Sequence, residues 1–153
     1  MRIIYIDADA CPVKDEVYKV ARRYDMRVLV VSNSPMRVPP AELIELIVKS
    51  GFGEVDDWIA EQAGQGDIVI TADIPLAARC LAKETRVLDP RGYPLTENDI
   101  GHTLGMRDLM QELRQDGTVS GGPPPMQPKD RSRFLAKLDE LVNAVRRAHP
   151  PSS

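Results

Sequence analysis

Cysteine, histidine and aromatic residues are scarce in this sequence of 153 residues, and each shortage excludes a class of protein. The two cysteines, Cys11 and Cys80, stand far apart with no histidine nearby, which argues against a disulfide scaffold and against a zinc site. No apolar run approaches the ~20 residues of a membrane-spanning helix, and the run at residues 3–6 meets carboxylates too soon to be a signal peptide. We therefore expect a cytoplasmic protein without a membrane segment.

The remaining composition is that of an ordinary globular protein, with 42% hydrophobic and 28% charged residues. Charge is unevenly distributed, because residues 1–122 carry 14 basic and 20 acidic side chains and residues 123–153 carry six and three. The overall net charge of −3 argues against a basic coat along the whole chain. A local basic contact surface in the C-terminal part is compatible with these counts, and so is a helix of ordinary solvated charges.

The apolar pattern predicts an α/β fold. Short continuous apolar runs near residues 3–6, 27–32, 68–70 and 86–88 are typical of buried parallel strands, and segments with helical spacing stand between them. Residues 43–48 fit a strand or a short helix, and we favour the strand. A short helix is expected to open at Asp56. This alternation predicts a three-layer α/β/α sandwich with a mostly parallel central sheet.

One domain is expected over residues 1–148, since a chain of this length suits a single core. Two C-terminal helices, at about residues 100–115 and 131–148, have apolar stripes that predict docking on the same core. Residues 149–153, with two prolines and two serines, are expected to form a flexible tail.

Aspartates follow several of the predicted strands. Because the carboxyl ends of parallel strands meet at one edge of a sheet, these carboxylates are expected to lie together there. Carboxylates placed close together repel one another unless a cation lies among them, and an all-oxygen set suits Mg²⁺ or Mn²⁺. The candidates are Asp7, Asp9, Asp56, Asp57, Asp73 and Asp89.

This metal would suit hydrolysis of a phosphodiester, because it activates a bound water and neutralises charge on the substrate. The sequence therefore predicts Asp7, Asp9 and Asp73 as catalytic residues, and Asp7, Asp73, Asp56, Asp57 and Asp89 as metal ligands. The competing interpretation is structural, since aspartates also cap helices and tolerate the turns that follow strands.

Several motifs together resemble the YaiI/YqxD family of small bacterial proteins, essentially end to end. The segments that carry the resemblance are IDADACPVKDE, SNS, VDDWIAE, GDIVITADIPLA, RVLDPRG, GMRDLMQELR, GGPPP and DRSRFLAKLD. That family in turn resembles the PIN-like fold, whose members include Mg²⁺- or Mn²⁺-dependent ribonucleases and related nucleases. The resemblance implies a nuclease that acts on RNA or DNA.

Site residues follow from the same resemblance. The first-strand aspartate of the PIN pattern matches Asp7, and its T-x-D pattern matches Thr71 and Asp73. The downstream acid matches Asp89, whereas the mid-chain acid, usually a glutamate, must be Asp56 or Asp57. Asp9 is an addition, suited to be a ligand, a partner of a ligand or a helix cap.

Substrate contacts are expected from basic and small polar side chains near these strand ends, because phosphate is bound mainly by such groups. Each of the basic residues also fits an ordinary solvated surface charge. The candidates are Lys14, Ser32, Asn33, Thr71, Arg91, Arg107, Arg131 and Arg133.

Two alternatives are left open. A haloacid-dehalogenase-like phosphatase is suggested by IIYIDAD, a strand followed by D-x-D, and by VLVVSN. That resemblance weakens at Cys11, where threonine is usual, and at Asp67, which precedes its strand instead of ending it. The other alternative is a non-catalytic PIN-like module that binds nucleic acid or a protein, which the net acidity mildly favours.

Overall fold

The computed structural model describes residues 2–100 and 125–148. Most of the helix predicted at residues 100–115, together with Arg107 and the tail 149–153, lies outside the described residues. The strands are β1 (Ile3–Asp7), β2 (Arg27–Ser32), β3 (Ile44–Val48), β4 (Ile68–Ile70), β5 (Arg86–Leu88) and β6 (Pro94–Leu95). The helices are α1 (Lys14–Tyr24), α2 (Glu54–Gln62), α3 (Ile74–Leu81) and α4 (Pro128–Ala148), with a 3₁₀ turn at Ala8–Ala10.

The six strands form one sheet in the order β3-β2-β1-β4-β5-β6, parallel except for β6. From β1 the chain adds β2 and β3 on one side, and it then returns to place β4 and β5 on the other. The order of strands thus reverses between β1 and β4. Ligands of open α/β sheets bind outside the carboxyl ends of the strands at such a point.

Helices cover both faces of the sheet, which confirms the predicted three-layer α/β/α sandwich. Ile4 and Ile6 of β1 pack with α1 and α4 on one face. Tyr5, between them, packs with α2 and α3 on the other face. Side chains of a strand alternate between the two faces of the sheet, and both faces are buried here. The residues of β1 are therefore apolar one after another, without alternation. No helix in the described part of the chain has the length and apolar character needed to cross a membrane.

The strand favoured for residues 43–48 is confirmed as β3. Three local details differ from the prediction. Helix α2 begins at Glu54 after Gly53, whose φ of +71° suits glycine, so Asp56 lies in the first turn and is not the N-cap. Helix α4 begins at Pro128, three residues before the predicted start. The antiparallel β6 was not predicted, since two residues are too few to show a period.

Helix α4 is attached to the rest of the domain by its apolar face and by one buried acid, Asp130, which pairs with Arg91 of the turn after β5. Phe134, Leu138 and Val142 are fully buried against the α1 side of the sheet. Gly92, with a φ of +91°, passes so close to α4 that an added Cβ would lie 2.7 Å from the Phe134 backbone nitrogen. Only glycine therefore fits at this crossing.

Candidate functional site

An acidic cleft of about 410 Å³ opens at the carboxyl ends of β1 and β4, where the strand order reverses. It is the position expected for a ligand in an open α/β sheet. The cleft is lined by Asp7, Asp9, Asn33, Gly51, Gly53, Val55, Asp56, Ala72, Asp73 and Pro90. Four of the six predicted aspartates therefore face one space.

Asp7 ends β1 and lies at the floor of the acidic cleft. Its Oδ2 accepts a hydrogen bond of 2.8 Å from the Thr71 hydroxyl, which follows β4. Burial raises the pKa of Asp7 to about 6, and the charges of Asp56, Asp73 and Asp9 add to the rise. The hydrogen bond from Thr71 opposes this rise without cancelling it.

Asp73 follows β4 and caps helix α3. Its Oδ1 accepts a 2.9 Å hydrogen bond from the Leu76 amide, and its own amide donates to the Thr71 hydroxyl over 3.0 Å. Thr71 is buried and links Asp7 to Asp73, because its hydroxyl donates to one and accepts from the other. The T-x-D pattern thus joins the Asp7 carboxylate and the Asp73 backbone through one threonine. Asp73 therefore caps α3 and also lines the acidic cleft.

Asp9 lies in the 3₁₀ turn after β1 and reaches the end of β2. The Ser32 hydroxyl donates to Asp9 Oδ1 over 3.1 Å. The Asn33 amide donates to both carboxylate oxygens of Asp9, over 3.1 and 3.0 Å. Asn33 lines the acidic cleft, whereas Ser32 is buried beneath it, and both hold Asp9 in place at one wall.

The structure distinguishes the adjacent acids of α2. Asp56 lines the acidic cleft, and burial together with the charge of Asp73 raises its pKa. Asp57 points away, is 63% exposed, and forms an ion pair of 2.8 Å with Arg79. Helical geometry places neighbouring residues about 100° apart, so only one of the two can face the cleft. The mid-chain acid of this site is Asp56.

Asp89 follows β5 but belongs to a turn. Its Oδ1 accepts hydrogen bonds of 2.9 Å from the amides of Arg91 and Tyr93. Burial raises the pKa of Asp89, although these hydrogen bonds act to lower it. Asp89 lines a second pocket of about 630 Å³ that shares Asp9, Ala72 and Pro90 with the acidic cleft.

The carboxylate oxygens of the acidic cleft are ligands that suit a hard divalent cation. In the described residues, however, they lie too far apart to bind one together. In the described residues, no hydrogen-bond donor contacts Asp7 Oδ1, Asp73 Oδ2 or the Asp56 carboxylate, so each keeps an oxygen for a ligand. Within residues 2–100 and 125–148, however, no three His, Cys, Asp or Glu side chains are grouped closely enough to hold a metal. A cation would require these side chains to move together.

The basic candidates divide into two groups. Lys14 and Arg91 line the second pocket, and the Lys14 ammonium donates to the Cys11 carbonyl over 2.8 Å. Arg131 instead contacts the Pro12 carbonyl and Glu16. Arg133 pairs with Asp130 and lies over the Tyr93 ring. The last two hold α4 against the domain.

Sequence reasoning missed the glycine-rich wall of the acidic cleft. Gly51 and Gly53 line it from the loop before α2, and Pro90 lines it from the turn after β5. The segment SGFGE carries the signal that could have indicated this wall, since two glycines around one residue mark a loop that approaches another surface closely.

Comparison with known proteins gives consistent relatives over nearly the whole chain. A family model described as "Uncharacterized BCR, YaiI/YqxD family" matches residues 5–144. A UPF0178 protein from Rhodospirillum centenum is 54% identical over 149 residues, which cover 94% of this chain and 97% of the relative. A UPF0178 protein from Paramagnetospirillum magneticum is 54% identical over 151 residues, 98% of this chain and 100% of the relative.

A third relative, the UPF0178 protein of Parvibaculum lavamentivorans, is 53% identical over 152 residues, covering 99% of this chain and 100% of the relative. None of these names states an activity. Among solved structures, no significant match to the chain was found.

Proposed function

Because the chain belongs to the YaiI/YqxD family, whose description assigns no activity, we propose from the acidic cleft that it is a PIN-like, divalent-metal-dependent nuclease. One observation carries the proposal. Asp7, Asp56 and Asp73 come from three separate elements to one cleft, and no Lys or Arg of the described residues forms an ion pair with them. Carboxylates placed this close repel one another, and a cation from solution would neutralise their charge.

Mg²⁺ or Mn²⁺ is the expected cation, since the available donors are carboxylate oxygens. Asp7 and Asp73 would hold it, and Asp56 is the third acid within the cleft. When bound, it would supply charge neutralisation at a phosphodiester oxygen and a more acidic water. Lys14, in the second pocket, would bind substrate phosphate of RNA or DNA, next to Arg91, which is already paired with Asp130.

Metal binding is the first test. Mn²⁺ is titrated calorimetrically at pH 7.5 into the wild-type protein and into Asp7→Asn, Asp73→Asn and Asp57→Asn. We expect binding by the wild type, loss of at least tenfold in affinity in the first two variants, and wild-type affinity in Asp57→Asn, which lies on the same helix as Asp56 but outside the cleft. Equal binding by all four proteins would contradict the assignment.

Cleavage is the second test, with end-labelled single-stranded and hairpin RNA and DNA in Mn²⁺. We expect products that disappear in Asp7→Asn and Asp73→Asn and persist in Asp57→Asn. Turnover of a small phosphomonoester with intact nucleic acid would favour the phosphatase alternative. Binding of nucleic acid without cleavage, unaffected by either cleft variant, would favour the non-catalytic module.

A further inference from the structure

The two phenylalanines of this chain have opposite environments. Phe134 is fully buried in the core, whereas Phe52 is fully exposed. Burial of a phenylalanine stabilises a fold, and this fold gains none of that stabilisation at Phe52. The Phe52 ring therefore adds nothing to the stability of the isolated protein and is fully available for contact with a ligand.

The position of Phe52 is defined by the loop on which it stands. Gly51 and Gly53, its neighbours on both sides, line the acidic cleft. Backbone bonds hold the loop, since the Lys49 amide donates to the Ser32 carbonyl over 2.9 Å and the Glu54 amide donates to the Gly51 carbonyl over 3.2 Å. Phe52 is therefore the only large side chain on the tip of a loop that forms one wall of the cleft.

A cation stands at the base of the same loop. The Lys49 ammonium lies 5.8 Å from the centre of the Trp58 ring, and that ring packs edge-on against Tyr5 at 6.1 Å. Lys49 is thus directed by a fixed aromatic neighbour and does not pair with the acids of the cleft. The loop presents one flat apolar ring and one ammonium beside a cleft that we assign to a phosphodiester.

We propose that Phe52 is a stacking platform for an unpaired nucleobase of the strand whose phosphodiester enters the acidic cleft, with Lys49 near the adjoining phosphate. This inference rests on the proposed function and names its substrate as single-stranded nucleic acid. Base stacking needs one accessible ring face, and every base offers a matching one. In a duplex the base faces are already covered, so a duplex cannot use this platform.

The surroundings of Phe52 favour a base over an apolar protein surface or a membrane. Stable protein interfaces are built on patches of several side chains around a central anchor. In the described part of the chain the other large exposed hydrophobic residues are Val48 and Tyr93, at 39% and 50% exposure. The flanking glycines add no apolar area, and the acids of the cleft repel anionic lipid.

The test measures binding of labelled 12-nucleotide oligo(U) and oligo(dT), with Ca²⁺ in place of Mn²⁺ to limit turnover. Phe52→Leu keeps an apolar side chain without the flat ring, Phe52→Trp keeps a ring, and Tyr93→Leu removes the other exposed aromatic. Because Phe52 has no packing contacts to lose, an unchanged melting temperature is expected for its two variants. A strand with abasic sites and a blunt duplex of the same sequence complete the design.

We expect Phe52→Leu to weaken binding of the base-containing strands about 5- to 150-fold, the loss equivalent to one stacked base. Phe52→Trp and Tyr93→Leu should bind like the wild type, and wild type and Phe52→Leu should bind the abasic strand equally. The emission of Phe52→Trp should fall on binding, beyond any change seen from Trp58 in the wild type.

Three results would overturn the inference. They are unchanged binding by Phe52→Leu, equal weakening on the normal and abasic strands, and preference of the wild type for the duplex. If Phe52→Leu binds normally while cleavage still requires Asp7, the stacking role fails and the proposed function stands. If the wild type neither binds nor cleaves nucleic acid, both fail.

Discussion

Asp7 and Asp130 are both withdrawn from water, and the protein treats their charges in opposite ways. Asp130 on α4 accepts from the Gln127 amide, from Arg133 over 3.1 Å and from Arg91 over 3.0 Å, and these donors lower its pKa. Asp7 on β1 has a single neutral donor, Thr71, and three acids around it, and its pKa rises to about 6. The first acid is neutralised by the fold and the second is left charged at neutral pH.

The difference teaches how to separate a structural carboxylate from a candidate site. At Asp130 the charge holds α4 to the turn after β5, so its partners are protein groups on both. At Asp7 the charged carboxylate destabilises the folded state, and the hydrogen bond from Thr71 offsets this cost only in part. Active sites concentrate perturbed groups of this second kind, because they need a charge that is available to a ligand.

The largest expected effect comes from removing the neutralised acid. Asp130→Ala leaves Arg91 and Arg133 without this carboxylate at a buried position, so it should lower the free energy of unfolding more than any other single aspartate substitution considered. Urea unfolding measures it, with Glu140→Ala, a 70% exposed acid of α4, as the control. A loss no greater than that of the control would contradict the structural role of Asp130.

The opposite sign is expected at Asp7. Asn resembles the protonated acid, so Asp7→Asn should stabilise the fold at pH 7 by up to about 3 kcal/mol, the cost of a shift from 3.8 to about 6. The folded state binds the proton more tightly, so wild-type stability falls as pH rises from about 4 to 6 and the gain of the variant disappears below pH 4. The free energies of unfolding of the wild type and Asp7→Asn, measured at pH 7 and below pH 4, test this. A stability gain that is the same at both pH values would refute it.

A bound cation should turn the loss of stability caused by the Asp7 charge into a gain. With Mn²⁺ at about 100 times its dissociation constant, the wild type should gain about 2.7 kcal/mol. The gain should grow as pH rises through about 6, because Asp7 must lose its proton to bind. Thermal shifts across this pH range measure it, Asp7→Asn should show a smaller shift at the same Mn²⁺ concentration, and a pH-independent shift would argue that Mn²⁺ binds elsewhere.

The two roles of Asp73 can be separated by a smaller effect. Asp73→Ala removes the N-cap of α3 and should cost about 1 kcal/mol, whereas Asp73→Ser keeps a capping oxygen and most of the stability. Both variants lose a carboxylate of the cleft, so both should lose Mn²⁺ affinity. If Asp73→Ser retains full affinity, Asp73 is a cap and not a ligand.

The smallest effect is expected at Asp57, whose partner Arg79 is also exposed. Asp57→Asn should change stability by less than about 1 kcal/mol, because solvent screens a surface ion pair. Chemical denaturation gives the value, and a larger loss would mean that the pair supports α2 more than its exposure suggests.

Much of the fold could be predicted because strands and helices leave local periods. The runs at residues 3–6 and 28–31 are apolar at every position, which indicates strands buried on both faces. Helix α2 was placed two residues late, because an aspartate in the first turn resembles an N-cap and Gly53 does not. Strand β6 has two residues, which show no period at all.

The candidate site could be predicted in part. Asp7 and Asp73 follow strands, and parallel strands bring their ends together, so their approach was expected. The choice between Asp56 and Asp57 depends on how α2 is rotated against the sheet, which its packing decides. The roles of Arg131 and Arg133 were beyond local patterns, since their partners lie up to 119 residues away in the chain.

Hydrophobic period and residue type are local properties, so the α/β/α architecture and the aspartates that end its strands could be predicted from the amino acids alone. Which acids share a cleft, which are neutralised by arginine, and the exposure of Phe52 at the rim follow only from the folded chain. Those outcomes depend on distances between segments far apart in the chain, and the electrostatic and packing energies that distinguish them exist only once the sheet has assembled.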